Sequence, residues 1–384
     1  MQNLFKFFSL ITFCFFSILP IQILAEENLK IGLLIPMTGE NEKLGQEIIK
    51  AVRLAINDID NNKIDIILKD TGSNPDVTLK SAKELKEIGV RVVIGPVFYD
   101  SLKYLDKIED IIFLSLTNKT INLPNNVISS GINSTSQIKT IKKFINLNNI
   151  EKTLFLIPKI DYEPEIKKAI KLSKLKTSKI YSYDIEPTKL TNQIEKITNY
   201  KIRKQNLADE IYRLEKSDDP NKEKKIKNLE KRYTLGKVKY DCFVIADFDE
   251  SLKSVATSLL YTDISPKKKF FITLNQWFDE SMFKEKSLQP IYYPSINKKR
   301  FDQFKKTFFL KYNFMPNHLS ILSYDLVGLI YYLSINNDFS NLENLFKKAN
   351  VFKGKIGIFD IKNNEINHRL NFYKIENKKI IEIF

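Results

Sequence analysis

The chain has 384 residues, room for two or three domains, and its 43% hydrophobic content is enough for large cores. Lys and Arg number 61 against 46 Asp and Glu, a formal charge of +15. Two Cys, two His and 11 Gly argue against a disulfide scaffold, a His/Cys metal site and a glycine-rich phosphate loop, and a mean hydropathy of −0.25 argues against a polytopic membrane protein.

Residues 1–25 read as a secretory signal: Lys6, an apolar run from Phe7 to Leu24, then the small Ala25 before Glu26. Cleavage is expected after Ala25, placing the protein in the periplasm. Cys14 is not read as a lipid anchor, because bulky Phe13 precedes it and the apolar run continues beyond it. The mature chain then keeps one thiol, Cys242, so no intramolecular disulfide is expected. The Lys residues are dispersed rather than gathered in a tract, and export removes nucleic acid as a client.

From residue 28 the pattern alternates. LKIGLLIP (29–36) is a run buried on both faces, and Leu44, Ile48, Val52, Ile56 and Ile59 give the following helix one apolar face. Strands are expected at 64–68, 90–96 and 111–116, with a helix carrying Leu79, Ala82 and Leu85. A second series follows: strands at 152–158, 178–184, 240–247 and 269–274, with helices around 163–175 and 250–261. Helices near 298–312 and 319–334 precede a meander-like end at 354–361, 370–375 and 379–383. The expected class is α/β, two Rossmann-like lobes with parallel central sheets flanked by helices.

Residues 189–235 break the alternation. They are polar and helical in composition, with Leu207, Ile211 and Leu214 on one face and Ile226 and Leu229 on another. Ser217-Asp218-Asp219-Pro220-Asn221 interrupts them, since Pro lacks an N–H and Asp and Asn favour turns. The reading is a helical hairpin inserted in the second lobe. It is either a solvated insertion or a docking arm that presents those five side chains to another protein.

IGLLIPMTGENEKLGQEIIKAVRLAINDI (31–59), DTGSNP (70–75), VRVVIGPVFYDS (90–101), FLSLTNKT (113–120), YDCFVIADFDESL (240–252) and LSYDLVGLIYYL (322–333) together resemble the type I periplasmic binding proteins of the leucine/isoleucine/valine-binding class. The resemblance spans nearly all of the mature chain. The DTG loop, the insertion before YDCFVIAD and ITLNQWFDES (272–281) look most like the branch of penicillin-binding-protein activators, which stimulate peptidoglycan synthases. The resemblance implies three crossings between lobes and a hinge, with the first lobe at 28–131 and 278–350 and the second at 132–277 and 351–384.

It also implies a cleft outside the carboxyl ends of the strands. By position, its candidate residues are Phe98, Tyr99, Asp100, Ser101, Ser115, Thr117 and Asn118 from the first lobe, and Tyr162, Asp247 and Phe248 from the second. In amino-acid-binding members the segments matching 98–101 and 115–119 hold the ligand through hydroxyls and backbone groups. Here bulky Phe98-Tyr99-Asp100 and Lys119 depart from that pattern.

Asp247, Asp249 and Glu250 are read as helix-capping rather than cation-binding, and Asp70-Thr71-Gly72 as a βα turn rather than a protease triplet. His318 and His368 match no zinc spacing, and Trp277 either lines the cleft or packs near a crossing. No GxGxxG after a strand, GxxxxGK[ST], HExxH or GxSxG occurs. With no catalytic motif, the resemblance implies a non-catalytic function without cofactor: regulation of a penicillin-binding protein. The alternative is the solute-binding component of an ABC transporter, handing an amino acid or similar small polar ligand to a permease.

Overall fold

The computed structural model describes residues 28–60, 63–175, 179–285, 288–336, 345–355 and 357–384. The expected signal segment, 1–25, lies outside the described residues.

Strands β1 (Leu29–Ile35), β2 (Ile64–Asp70), β3 (Val92–Ile94), β4 (Ile112–Ser115) and β5 (Val127–Ser129) form a parallel sheet ordered β2-β1-β3-β4-β5. β1 is apolar at successive positions because both of its faces are covered. Ile31, Leu33 and Ile35 pack with Ile48, Val52 and Ala55 of helix α1 (Glu42–Ile59), while Leu34 packs with Ala82 and Leu85 of α2 (Pro75–Glu87). Asn74 caps α2, accepting the Asp76 N–H at 2.8 Å. β3 and β4 are shorter than the expected runs, and the three-residue β5 was not anticipated.

The second sheet repeats the plan. β6 (Thr153–Pro158), β7 (Lys179–Tyr183), β8 (Cys242–Ile245), β9 (Phe270–Thr273) and β10 (Ile291–Ser295) are parallel in the order β7-β6-β8-β9-β10. Phe155 and Ile157 pack with α3 (Ser134–Leu147) and α4 (Glu163–Ser173). Leu154 and Leu156 turn the other way, toward α5 (Pro187–Ile197) and the helix that follows β8. Between these lie α6 (Tyr200–Glu215) and α7 (Lys222–Leu229), and then α8 (Asp249–Tyr261). α3 escaped the sequence reading, although Ile138, Ile141, Phe144 and Ile145 give it a buried face.

The chain then returns to the first lobe. In α9 (Lys298–Tyr312), Phe301, Phe304 and Phe308 are buried. α10 (His318–Asn336) packs along α1. By length and composition His318–Ile335 is long and apolar enough to cross a membrane; here Ile321, Leu326 and Leu329 are buried in the core. β11 (Asn350–Lys353), β12 (Ile358–Lys362) and β13 (Glu365–Arg369) make a small antiparallel sheet against β5 and α3. β14 (Asn371–Glu376) and β15 (Lys379–Glu382) add antiparallel to the β10 edge of the second sheet.

Three expectations need correction. The boundary at 278 put residues 291–295 in the first lobe. They form β10, with Ile291 and Tyr293 buried between β9 and β14, so the return follows that strand. It keeps Pro294 inside an interior strand, a position that Pro usually avoids. The segment from 351 does not belong wholly to the second lobe, because β11–β13 form their own sheet. Finally, the insertion starts later than 189: Leu190 and Ile194 of α5 are buried in the core, which leaves α6 and α7 as the hairpin.

Candidate functional site

Both parallel sheets run 2-1-3-4-5 and end at a common cleft, where a strand-order reversal leaves a crevice. Gly95 lies at this point in the first lobe. Its φ is +105°, and a Cβ there would stand 2.0 Å from the Leu34 carbonyl oxygen. Only glycine lets β3 leave the sheet so close to β1.

The cleft is a cavity of about 300 Å3. Val97, Phe98, Tyr99, Leu116, Thr117 and Asn118 line it from the ends of β3 and β4. His318, Leu319 and Leu322 come from the start of α10, and Phe248, Asn275 and Trp277 from the second lobe. Gly131, Ile132 and Gln137 close its base. None of these residues is Asp, Glu, Lys or Arg. Trp277, the only tryptophan, stacks on His318 with ring centroids 4.4 Å apart. Trp277 and Phe278 both have positive φ, 47° and 62°, a conformation rare outside glycine. The Trp277 N–H is held by Asn275 Oδ1 at 3.0 Å. Burial pushes the His318 imidazole down to about 4, so it is neutral near pH 7.

The polar groups of the base engage each other. Gln137 Oε1 accepts the Asn275 N–H at 2.8 Å, Gln137 Nε2 donates to the Ile132 carbonyl, and Ser295 Oγ donates to Asn275 Oδ1. The result is an aromatic and aliphatic chamber with amide and hydroxyl groups and no formal charge.

Of the ten cleft candidates, Phe98, Tyr99, Thr117, Asn118 and Phe248 reach this cavity. Asp100 faces outward in a separate depression with Lys103 and Asp106. Ser101 is buried, and its hydroxyl has no partner among the described residues. Ser115 is buried too and donates to the Pro96 carbonyl at 2.7 Å. Asp247 is 4% exposed. It accepts from Tyr162 OH at 3.2 Å, Ser251 Oγ at 2.6 Å, its neighbour's Phe248 N–H at 2.9 Å and Tyr183 OH. Burial and the Asp247 charge together push both phenols above the ordinary tyrosine range. Asp247 and Tyr162 thus form a closed polar cluster beneath α8, and the position after β8 does not present a free carboxylate to the cleft.

The sequence reading missed Gln137, Asn275, His318, Leu319 and Leu322. Asn275 stands two residues past β9, within reach of a strand-end search, whereas Gln137 lies in the first turn of α3, a helix the sequence reading did not place.

Among the described residues no three His, Cys, Asp or Glu side chains are placed to hold a metal ion. Asp70 accepts from the Met37 N–H, Thr38 Oγ1 and the Gly72 N–H, tying the βα turn together. Burial raises its carboxyl, but these hydrogen bonds outweigh burial and hold it below the usual range. Burial pushes the Cys242 thiol up, away from thiolate chemistry.

In the hairpin, Leu207 and Leu214 are buried and Ile211, Ile226 and Leu229 half-buried, and α6 packs on α7. The expected docking side chains are therefore turned inward. Ile202, Tyr212 and Tyr233 are the large hydrophobics exposed there. Arg203 anchors the base: it is buried and donates to the Thr198 carbonyl, Thr234 Oγ1 and the Thr262 carbonyl.

The lobes, their strand order and the cleft define a type I periplasmic-binding-protein fold. Residues 28–145 match the family model described as periplasmic binding protein. No curated protein matches the chain in sequence. Among solved structures, the C-domain of LpoA (YraM) from Haemophilus influenzae, described as a regulator of PBP1A, is 15% identical with a TM-score of 0.61, the match covering 92% of this chain and 100% of that one. Against full-length LpoA the match covers 59% of that chain. The leucine-binding protein LivK from Thermotoga maritima is 13% identical, TM-score 0.55, over 93% of this chain and 98% of that one. A branched-chain amino acid ABC transporter ligand-binding protein from Burkholderia xenovorans is 12% identical, TM-score 0.63, over 93% and 95%. These matched proteins are binding or regulatory proteins.

Proposed function

We propose that this protein is an exported, non-catalytic envelope protein that regulates a peptidoglycan synthase of the penicillin-binding class. In this reading residues 1–25 direct export and are cleaved after Ala25. The observation that carries this reading is the uncharged cleft. An amino acid brings a carboxylate, which hydroxyls and backbone N–H groups can hold, and an ammonium, whose burial without an acidic partner costs several kcal/mol. The residues lining the cavity include no Asp, Glu, Lys or Arg, and Asp247 is already engaged by four donors. In this reading the protein acts through its surface rather than by delivering an amino acid, and the α6–α7 hairpin supplies a surface outside the two-lobe plan. The fold likeness supports both roles: LpoA is described as a regulator of PBP1A, and LivK as a leucine-binding protein.

The test has two arms. In thermal unfolding, a ligand at 100 times its Kd adds about 2.7 kcal/mol of stability. The expectation is no shift with amino acids, small peptides or muropeptides. In the second arm, the protein raises the glycan-polymerising or cross-linking rate of a purified penicillin-binding protein from the same cell. A clear shift with one amino-acid class, and no effect on any synthase, transfers the protein to the transport reading.

A further inference from the structure

We propose that Glu165 is a latch that ties the two lobes together at the mouth of the cleft. Glu165 lies in the first turn of α4, in the second lobe. Its carboxylate reaches across to the loop that follows β4 in the first lobe. Oε1 accepts the Thr120 N–H at 2.6 Å and the Ile121 N–H at 2.7 Å, while Oε2 accepts the Thr120 hydroxyl at 2.7 Å. One turn along α4, Lys168 Nζ donates to the Thr120 carbonyl at 3.2 Å. Thr120 is thereby gripped through its N–H, its hydroxyl and its carbonyl.

The gripped loop borders the cleft and is itself stiff. Thr117 and Asn118 line the cavity. Thr117 Oγ1 accepts the Lys119 N–H at 3.2 Å, Lys119 Nζ sits 4.3 Å from the centre of the Tyr99 ring, and Tyr99 OH donates to the Ile121 carbonyl. Opening the cleft at this mouth breaks all the bonds to Glu165 together rather than one at a time.

Glu165 is only 6% exposed and, among the described residues, has no ion-pair partner. A buried carboxylate is tolerated when donors surround it, and here the principal donors belong to the opposite lobe. Glu163, two residues earlier, is spent differently, on Lys167 of its own helix. The contact across the cleft is therefore built into the chain, and anything that opens the cleft must break the bonds to Glu165. This inference is independent of whether the protein serves a synthase or a transporter.

Trp277 makes the test direct, being the only tryptophan and a cleft residue. In the purified protein, Glu165→Ala is expected to red-shift its emission, steepen acrylamide quenching and enlarge the radius of gyration in solution scattering. Loss of these charge-assisted bonds shifts the closed-to-open ratio by about 100-fold or more. Thr120→Val, which removes only the hydroxyl, shifts it in the same direction by about tenfold. If Glu165→Ala keeps native circular dichroism, emission and radius of gyration, other contacts hold the lobes and the latch is overturned. A measurement on the unsubstituted protein guards against a folding failure. The Thr120 and Ile121 amides are expected to be protected from hydrogen exchange, and exchange at the rate of an unstructured peptide also overturns the latch.

Discussion

The two lobes share one plan, five parallel strands in the order 2-1-3-4-5, yet they finish it differently. In the first lobe the strand ends are small or backbone-bonded. Gly95 clears the switch point, Ser115 is satisfied by the Pro96 carbonyl, and Thr117 and Asn118 remain at the cavity wall. In the second lobe the corresponding space is filled by the protein itself, with Asp247 held by Tyr162, Tyr183 and Ser251. Topology places a crevice at both sets of strand ends. Side chains then decide how much of it stays available: the second lobe lends Phe248, Asn275 and Trp277 to the cavity wall but fills the position after β8 with a polar cluster.

That contrast can be broken most directly at Asp247. Asp247→Ala removes the shared acceptor of two buried phenols and a hydroxyl, and is expected to lower unfolding stability by about 4 kcal/mol. Urea unfolding reads this, and a loss below about 1 kcal/mol would mean that the cluster is not a structural core. The equivalent change in the first lobe, Thr117→Val, removes one hydrogen bond to Lys119 and should cost about 1 kcal/mol.

Between these in size lies a pH effect at the junction of the lobes. His368 of β13 is buried, its Nε2 2.9 Å from the Ser130 carbonyl oxygen, and burial pushes its imidazole down from 6.5 to about 4. The unfolded chain takes up that proton near pH 6.5, while the folded protein resists until about 4. Stability from this group is thus fully present above pH 6.5, falls as pH drops toward 4 and is level below, a loss of roughly 3 kcal/mol. His318 titrates in the same direction. Unfolding measured at intervals across this window, with His368→Asn as the comparison, should show a shallower slope in the variant. Equal slopes would place the pH dependence elsewhere.

The smallest expected effect concerns the hairpin. Deleting 200–234 and rejoining the flanks should leave the cooperative unfolding of both lobes in place, because Leu190 and Ile194 of α5 stay in the core without it. Loss of cooperative melting would make α6 and α7 part of the second lobe's core.

Much of the plan was legible in the sequence. The both-face burial of β1, the one-face burial of α1 and the interruption at Ser217–Asn221 are local patterns that a few neighbouring residues set. α3 was equally legible from its four apolar residues and was passed over. β5 carries too little pattern in three residues, and β10 carries Pro294, which counts against an interior strand. The site was less legible. Half of the strand-end candidates reach the cavity, while Asp247, placed there by its position after β8, is consumed inside the second lobe.

By itself, then, the sequence determined the alternation of strands and helices, their doubling into two series and the apolar faces that bury them, because periodicity acts within one turn or one pleat. Tertiary structure alone decided which polar side chain meets which. Glu165 finds Thr120 from 45 residues away, Tyr162 finds Asp247 from 85, and Gln137 finds Asn275 from 138. Such pairs leave no local trace, since a carboxylate, a hydroxyl or an amide looks the same in sequence whether its partner is a ligand, water or another lobe.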